Sequence, residues 1–181
     1  MNRSARHLGV LAFLLFLGAI PLANWMIGHV GEVCLAHGPC LIPVAPGIMA
    51  PSGVLTAGVA LVLRDIVQRC LGARFGVLAI IAGALLSILV APVSLVRASA
   101  SAFLLSELAD FAIYTPLQRR GLLRAVLASS AAGIVIDSIV FLSLAFGSLA
   151  LLPGQIIGKT WSIAFALPLI HLTRRLAPTP A

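Results

Sequence analysis

Six stretches of this chain are each long and apolar enough to cross a lipid bilayer, and they leave room for little else. They run Leu8–Ile27, Ile48–Ile66, Phe75–Ala91, Val96–Leu117, Leu122–Phe146 and Leu152–Leu172. A spanning helix needs about 20 mainly apolar residues, and 181 residues hold six of these with short connections. Only 9% of the residues are charged, against about a quarter in a soluble domain. The expected unit is one all-α integral membrane domain over residues 1–181, with a disordered tail from about 176.

The cations set an orientation. Arg3 and Arg6 precede the first span, Arg64, Arg69 and Arg74 flank the second turn, Arg119, Arg120 and Arg124 flank the fourth, and Arg174 and Arg175 close the sixth. Those ten of the twelve Lys and Arg residues fall on one side of a six-span arrangement with both termini cytoplasmic. The first span has the look of a signal peptide. Its apolar run exceeds a signal core and five more spans follow, so it reads as retained. A net charge of +7 then reflects topology. The cations gather at span ends and form no exposed basic face, so no nucleic-acid partner is expected.

One connection is long. Segment 28–47 carries His29, Glu32, Cys34, His37, Cys40 and three prolines. A loop of this length without structure of its own is either a lid over the outer mouth or an irregular connector. Cys34 and Cys40 face an oxidising compartment and are close enough for a small disulfide loop, although sequence does not fix the geometry. With His29 and His37 they also make a crude metal-ligand set, but the spacing fits no closed zinc pattern. No metal and no cofactor are expected. At the inner end of span two, Asp65 and Arg69 are four apart with the acid first, the order of a solvated helical ion pair.

Several charges remain that topology does not explain. Glu107, Asp110 and Asp137 lie inside apolar spans, as do Arg97 and Lys159. A charge near the bilayer centre costs about 2.5–3.5 kcal/mol even on the lenient insertion scale, so these residues need partners, water or a ligand. Positions 103, 107, 110 and 114 follow one helical face, carrying Phe103, Glu107, Asp110 and Tyr114, with Ser99 and Ser106 near its edge. Ala98, Ala100 and Ala102 leave space for a close neighbour. At 1.5 Å per residue Glu107 lies roughly 15 Å below Arg97, and Asp137 falls at a similar depth. Gln155 and Lys159 share a face early in span six. Polar residues from three spans thus converge in the outer half of the bundle. An internal ion pair such as Lys159 with Asp137 would instead serve packing alone. Asp110 is deeper, within reach of Tyr114 or a backbone N–H.

The run Arg97-Ala-Ser-Ala-Ser-Ala-Phe-Leu-Leu-Ser-Glu-Leu-Ala-Asp110, then Asp137-Ser-Ile-Val-Phe141, then Pro153-Gly-Gln-Ile-Ile-Gly-Lys159, resembles the vitamin uptake transporter family, and Leu63-Arg-Asp-Ile66 is similar to that family's second span. The likeness covers most of the chain from about Ser52 to Lys159. It implies a six-span bacterial inner-membrane protein similar in fold to the substrate-binding subunits of energy-coupling-factor vitamin transporters. It also implies import of the queuosine precursors 7-cyano-7-deazaguanine and 7-aminomethyl-7-deazaguanine, used in tRNA modification. Such a base is flat and presents an N–H beside an amino group, donors that one carboxylate accepts bidentately. Glu107 or Asp137 would read that edge while the other holds Lys159. Lys159, Gln155 or Arg97 would donate to the ligand carbonyl, and Phe103, Phe141 or Trp161 would stack on the ring.

Other functions fit less well. A substrate-capturing subunit dependent on an ATPase module is the near alternative. An intramembrane enzyme is disfavoured because His7, His29, His37 and His171 lie at the termini or in the loop, away from any core serine. A pure assembly protein would use the small-residue runs without binding a ligand.

Overall fold

The computed structural model describes residues 3–36 and 38–176, with backbone alone at 171, 172 and 174–176. Six helices form where six apolar segments are expected: α1 (Arg3–His29), α2 (Val54–Leu71), α3 (Ala73–Val90), α4 (Val96–Leu117), α5 (Leu122–Phe146) and α6 (Leu152–Leu176). The bounds of α4 and α5 coincide with the expected ones. The expected tail beyond 176 lies outside the described residues, as do the side chains of His171, Arg174 and Arg175.

Among the described residues α1, α3 and α5 are long and apolar enough to cross a membrane by length and composition alone. The other three carry most of the buried polar side chains, among them Arg64, Gln68, Glu107, Asp110, Gln155 and Lys159. The outer surface is apolar, with Leu14, Leu85, Leu89, Leu144 and Phe165 all exposed. A lipid-facing shell needs such a surface.

Successive helices run up and down. Gly72 alone turns α2 into α3, at φ 99°, a conformation open to glycine and strained for other residues. At one end of the bundle a Cβ on Gly9 would strike Leu71, and at the other a Cβ on Gly53 would strike the Ala23 carbonyl, which fixes α1 and α2 as antiparallel neighbours. Helix α2 also packs broadly on α1 and α6, and α4 on α3 and α5. A Cβ on Gly58 would sit 2.9 Å from the Lys159 carbonyl, so this glycine brings α2 against the backbone that carries Lys159.

Two expectations fail between α1 and α2. Span two does not begin at Ile48, and segment 28–47 is not structureless. The chain there forms a three-stranded antiparallel sheet of β1 (Val33–Cys34), β2 (Cys40–Ala45) and β3 (Ile48–Pro51), in that order, pairing Val33 with Leu41 and Ile42 with Ala50. Hydropathy counts Ile48, Met49 and Ala50 as apolar whatever their backbone does, whereas Pro43, Pro46 and Pro51 cannot sustain a helix. The ladder slips by a bulge between Pro43 and Ala45, beside a proline that has no N–H to give. Cys34 and Cys40 form a disulfide across β1 and β2, which also removes their thiols from the crude metal-ligand set. Among the described residues no His, Cys, Asp and Glu cluster suits a metal; His37 lies outside them.

The sheet is fastened to the bundle. Ser52 Oγ donates to the Met26 carbonyl of α1 at 2.6 Å, and Trp161 Nε1 of α6 donates to the Val44 carbonyl of β2 at 3.2 Å. Gly154 at the start of α6 lies directly against the Met49 carbonyl of β3.

Candidate functional site

Below the sheet is a cavity to which all six helices contribute. Its walls are largely apolar: Ala19, Ile20, Ala23 and Ile27 from α1, Val54, Ala57 and Ala60 from α2, and Ala102 from α4. Into this lining project Asn24, Ser87, Ser99, Ser106, Glu107, Asp137, Gln155 and Lys159, together with the rings of Phe103 and Phe141. A mainly apolar pocket with a few convergent polar groups is the usual form of a small-molecule site.

The polar groups are tied to one another. Lys159 Nζ donates to Asp137 Oδ2 at 2.5 Å and to Ser138 Oγ at 2.9 Å. Lys159 is closed off at 1% side-chain exposure, while Asp137 keeps 20% and is the open partner of the pair. Ser106 Oγ bridges Asp137 Oδ1, at 3.5 Å, and the Phe103 carbonyl, at 3.0 Å. Between α4 and α1, Ser99 Oγ donates to Asn24 Oδ1 at 3.1 Å, and the Asn24 amide in turn donates to the Ile20 carbonyl at 3.0 Å. Gln155 Oε1 is buried without a hydrogen-bond partner.

The aromatic walls are positioned by their neighbours. The Phe103 ring meets α3 at Gly83, where a Cβ would stand 2.5 Å from Cζ, and it lies 5.9 Å from the Phe16 ring centroid. Phe141 packs edge-on against Phe146 at 5.8 Å.

Beneath the cavity lies a second polar layer. Arg64, fully buried, donates through Nε to Glu107 Oε2 at 3.0 Å, through Nη1 to Gln68 Oε1 at 3.0 Å, and through Nη2 to Asp110 Oδ1. Its Nη1 also lies 3.0 Å from Asp65 Oδ1. The Phe111 and Tyr114 rings flank the guanidinium at 5.9 and 5.8 Å, close enough for cation–π attraction. Glu107 belongs to both layers, lining the cavity and gripping Arg64.

Several expectations are corrected here. Arg64 is not a cation flanking a membrane span, because its place ten residues into α2 points it inward among three carboxyls. Asp65 is not a solvated helical partner of Arg69; it is 1% exposed and pairs with Arg64. Asp110 lies outside the cavity lining, drawn to Arg64 instead of Tyr114, and the Tyr114 hydroxyl is buried without a partner. Arg97 is exposed and stands outside the cavity. Trp161 is likewise outside, 52% exposed, its indole committed to the sheet. The structure does bring Phe103, Ser106, Glu107, Asp137, Phe141, Gln155 and Lys159 together around one space. Sequence reasoning missed Asn24 and Ser87, each an isolated polar residue within the apolar stretch of its helix, and that isolation was the available signal.

The model of a protein family described as "Putative vitamin uptake transporter" matches residues 88–180, about half of the chain, from the end of α3 through α6. No curated protein and no solved structure matches.

Proposed function

The chain belongs to the vitamin uptake transporter family, and from that premise we propose that it imports a 7-deazaguanine-type queuosine precursor across a bacterial inner membrane. In this reading all six helices span, both termini are cytoplasmic, and the sheet lies on the outer face. The observation that carries it is the cavity: two carboxylates and a buried ammonium, set between Phe103 and Phe141 in apolar walls. Glu107 accepts the N–H and amino pair on the base edge, and Lys159, steadied by Asp137, donates to the ring carbonyl. Phe103 and Phe141 cover the ring faces. Gln155 supplies a further polar contact through an oxygen that otherwise goes unmatched. Bases lacking the complementary edge leave these buried groups unpaired and are rejected.

The test is a thermal-shift panel of the purified protein against 7-cyano-7-deazaguanine, 7-aminomethyl-7-deazaguanine, guanine, adenine and common vitamins. Binding raises the melting temperature as the ligand exceeds its Kd. A rise with the deazaguanines that is lost in Glu107→Gln and Asp137→Asn supports the reading; a rise with an unrelated vitamin alone sinks the substrate assignment. Uptake by the protein reconstituted alone separates a carrier from a capture subunit that needs an ATPase module.

A further inference from the structure

We propose that the carboxyl cluster around Arg64 is a proton-binding site, occupied at neutral pH and loaded and unloaded from the cavity through Glu107. The inference takes transport as its setting but depends on no particular substrate.

Three carboxyls, Asp65, Glu107 and Asp110, share one guanidinium, and all four side chains are essentially closed to solvent. The surrounding cations do not make up the difference. Lys159 on α6 is committed to Asp137 on α5, and Arg69 lies a turn farther along α2. Among the described residues, the four carboxyls of Asp65, Glu107, Asp110 and Asp137 face the three inward cations Arg64, Arg69 and Lys159. A buried carboxylate without a counter-charge is so unfavourable that the group takes up a proton instead.

The hydrogen bonding points the same way. Asp65 Oδ1 and Oδ2 and Asp110 Oδ2 are buried with no donor hydrogen-bonded to them. Asp65 closes on Arg64 Nη1 and Asp110 on Arg64 Nη2, so both carboxyls stand at the outer end of one guanidinium. Two carboxylates cannot bond to one another; a carboxylic acid and a carboxylate can. One proton between them satisfies atoms that are otherwise stranded. Among the described residues, the other groups facing the cluster are Gln68 and Arg69 from α2, Tyr114 from α4 and Ser129 from α5. Glu107 is the member that also lines the cavity, so it is the route by which a proton enters or leaves.

Infrared spectroscopy of the purified full-length protein at neutral pH tests this without any substrate. The expected result is a carboxylic-acid C=O band that moves to lower frequency on transfer into D2O. The band weakens in Asp65→Asn or Asp110→Asn and disappears when these are combined with Glu107→Gln. The wild-type spectrum can overturn the proposal even if the variants fail to fold. Absence of the band overturns the proposal, and so does a band that never shifts in D2O, which would mark a sealed proton. A band surviving the triple variant overturns it as well. Failure of the deazaguanine assignment would leave this band in place, so the two are told apart.

Discussion

Arg64 and Glu107, 43 positions apart, meet through a 3.0 Å hydrogen bond with neither side chain open to solvent. The contact joins α2 to α4 and sets the floor of the cavity. Removing the guanidinium would leave its carboxyl partners buried around an empty centre. We predict that Arg64→Met destabilises the protein by about 3–5 kcal/mol, the usual cost of breaking a buried ionic contact from one side. Arg64→Lys will rescue little, because an ammonium cannot reproduce the planar fork that serves several acceptors. Thermal unfolding in detergent of the two variants checks this; a wild-type melting temperature for Arg64→Met would contradict it.

The Lys159–Asp137 pair is asymmetric in exposure, and its mutants should be too. Asp137→Asn strands an ammonium that is 1% exposed, whereas Lys159→Met strands a carboxylate that keeps 20%. We predict the larger stability loss for Asp137→Asn. The double variant should lose less than the sum of the singles by about 0.5–3 kcal/mol. Additive losses would show that the two side chains do not depend on each other.

The glycines at helix crossings make a separate prediction. Gly83→Ala pushes on the Phe103 ring, which can shift, while Gly58→Ala meets the Lys159 backbone, which cannot shift without moving α6. Overpacking costs about 1–3 kcal/mol, and Gly58→Ala is expected at the upper end. Gly83→Ala should weaken ligand binding more than it lowers stability. Paired melting and binding measurements on both variants distinguish these effects.

How much could be read beforehand differs between the two polar layers. The spacing of Phe103 and Glu107, the similar depth of Asp137, and the shared face of Gln155 and Lys159 follow from helical periodicity, so the cavity group could be assembled from sequence. Arg64 could not. Near the end of an apolar run an arginine reads as a topological anchor, and only packing against α4 shows that it points inward. The same limit hid the sheet, since β2 and β3 carry apolar residues that a hydropathy window cannot tell from the start of a helix. Trp161 and Arg97 show the converse. Helical position places a residue at a depth, but which neighbour covers it is decided in three dimensions.

The disulfide predicts a thiol count. The chain has three cysteines, with Cys34 and Cys40 joined and Cys70 free and buried. Denatured without reductant the protein should titrate one thiol, and with reductant three. Closing so short a loop is worth about 2 kcal/mol, so the Cys34→Ser/Cys40→Ser variant should melt lower and expose the hairpin to proteolysis. A count of three thiols without reductant would exclude the bond.

Residues outside the cavity supply the control. Arg97→Gln and Trp161→Phe should change deazaguanine affinity by no more than about 0.5 kcal/mol, as surface substitutions usually do. Phe103→Ala should cost about 1–3 kcal/mol, the range for loss of an aromatic face against a base. Isothermal titration of the three variants reads the contrast, and a large loss in Arg97→Gln would move the ligand toward the outer rim.

The sheet fastens α6 through Trp161 and Gly154, and α1 through Ser52, while α2 packs on both of those helices. Helix α4 packs on α3 and α5, and α3 packs on α1 and α2 as well. Arg64 ties α2 to Glu107 and Asp110 on α4, and Lys159 ties α6 to Asp137 on α5. Parting α2 from α4, or α6 from α5, would therefore break ionic contacts in apolar surroundings. The buried ions act as two latches across the bundle, and both engage residues that line the cavity.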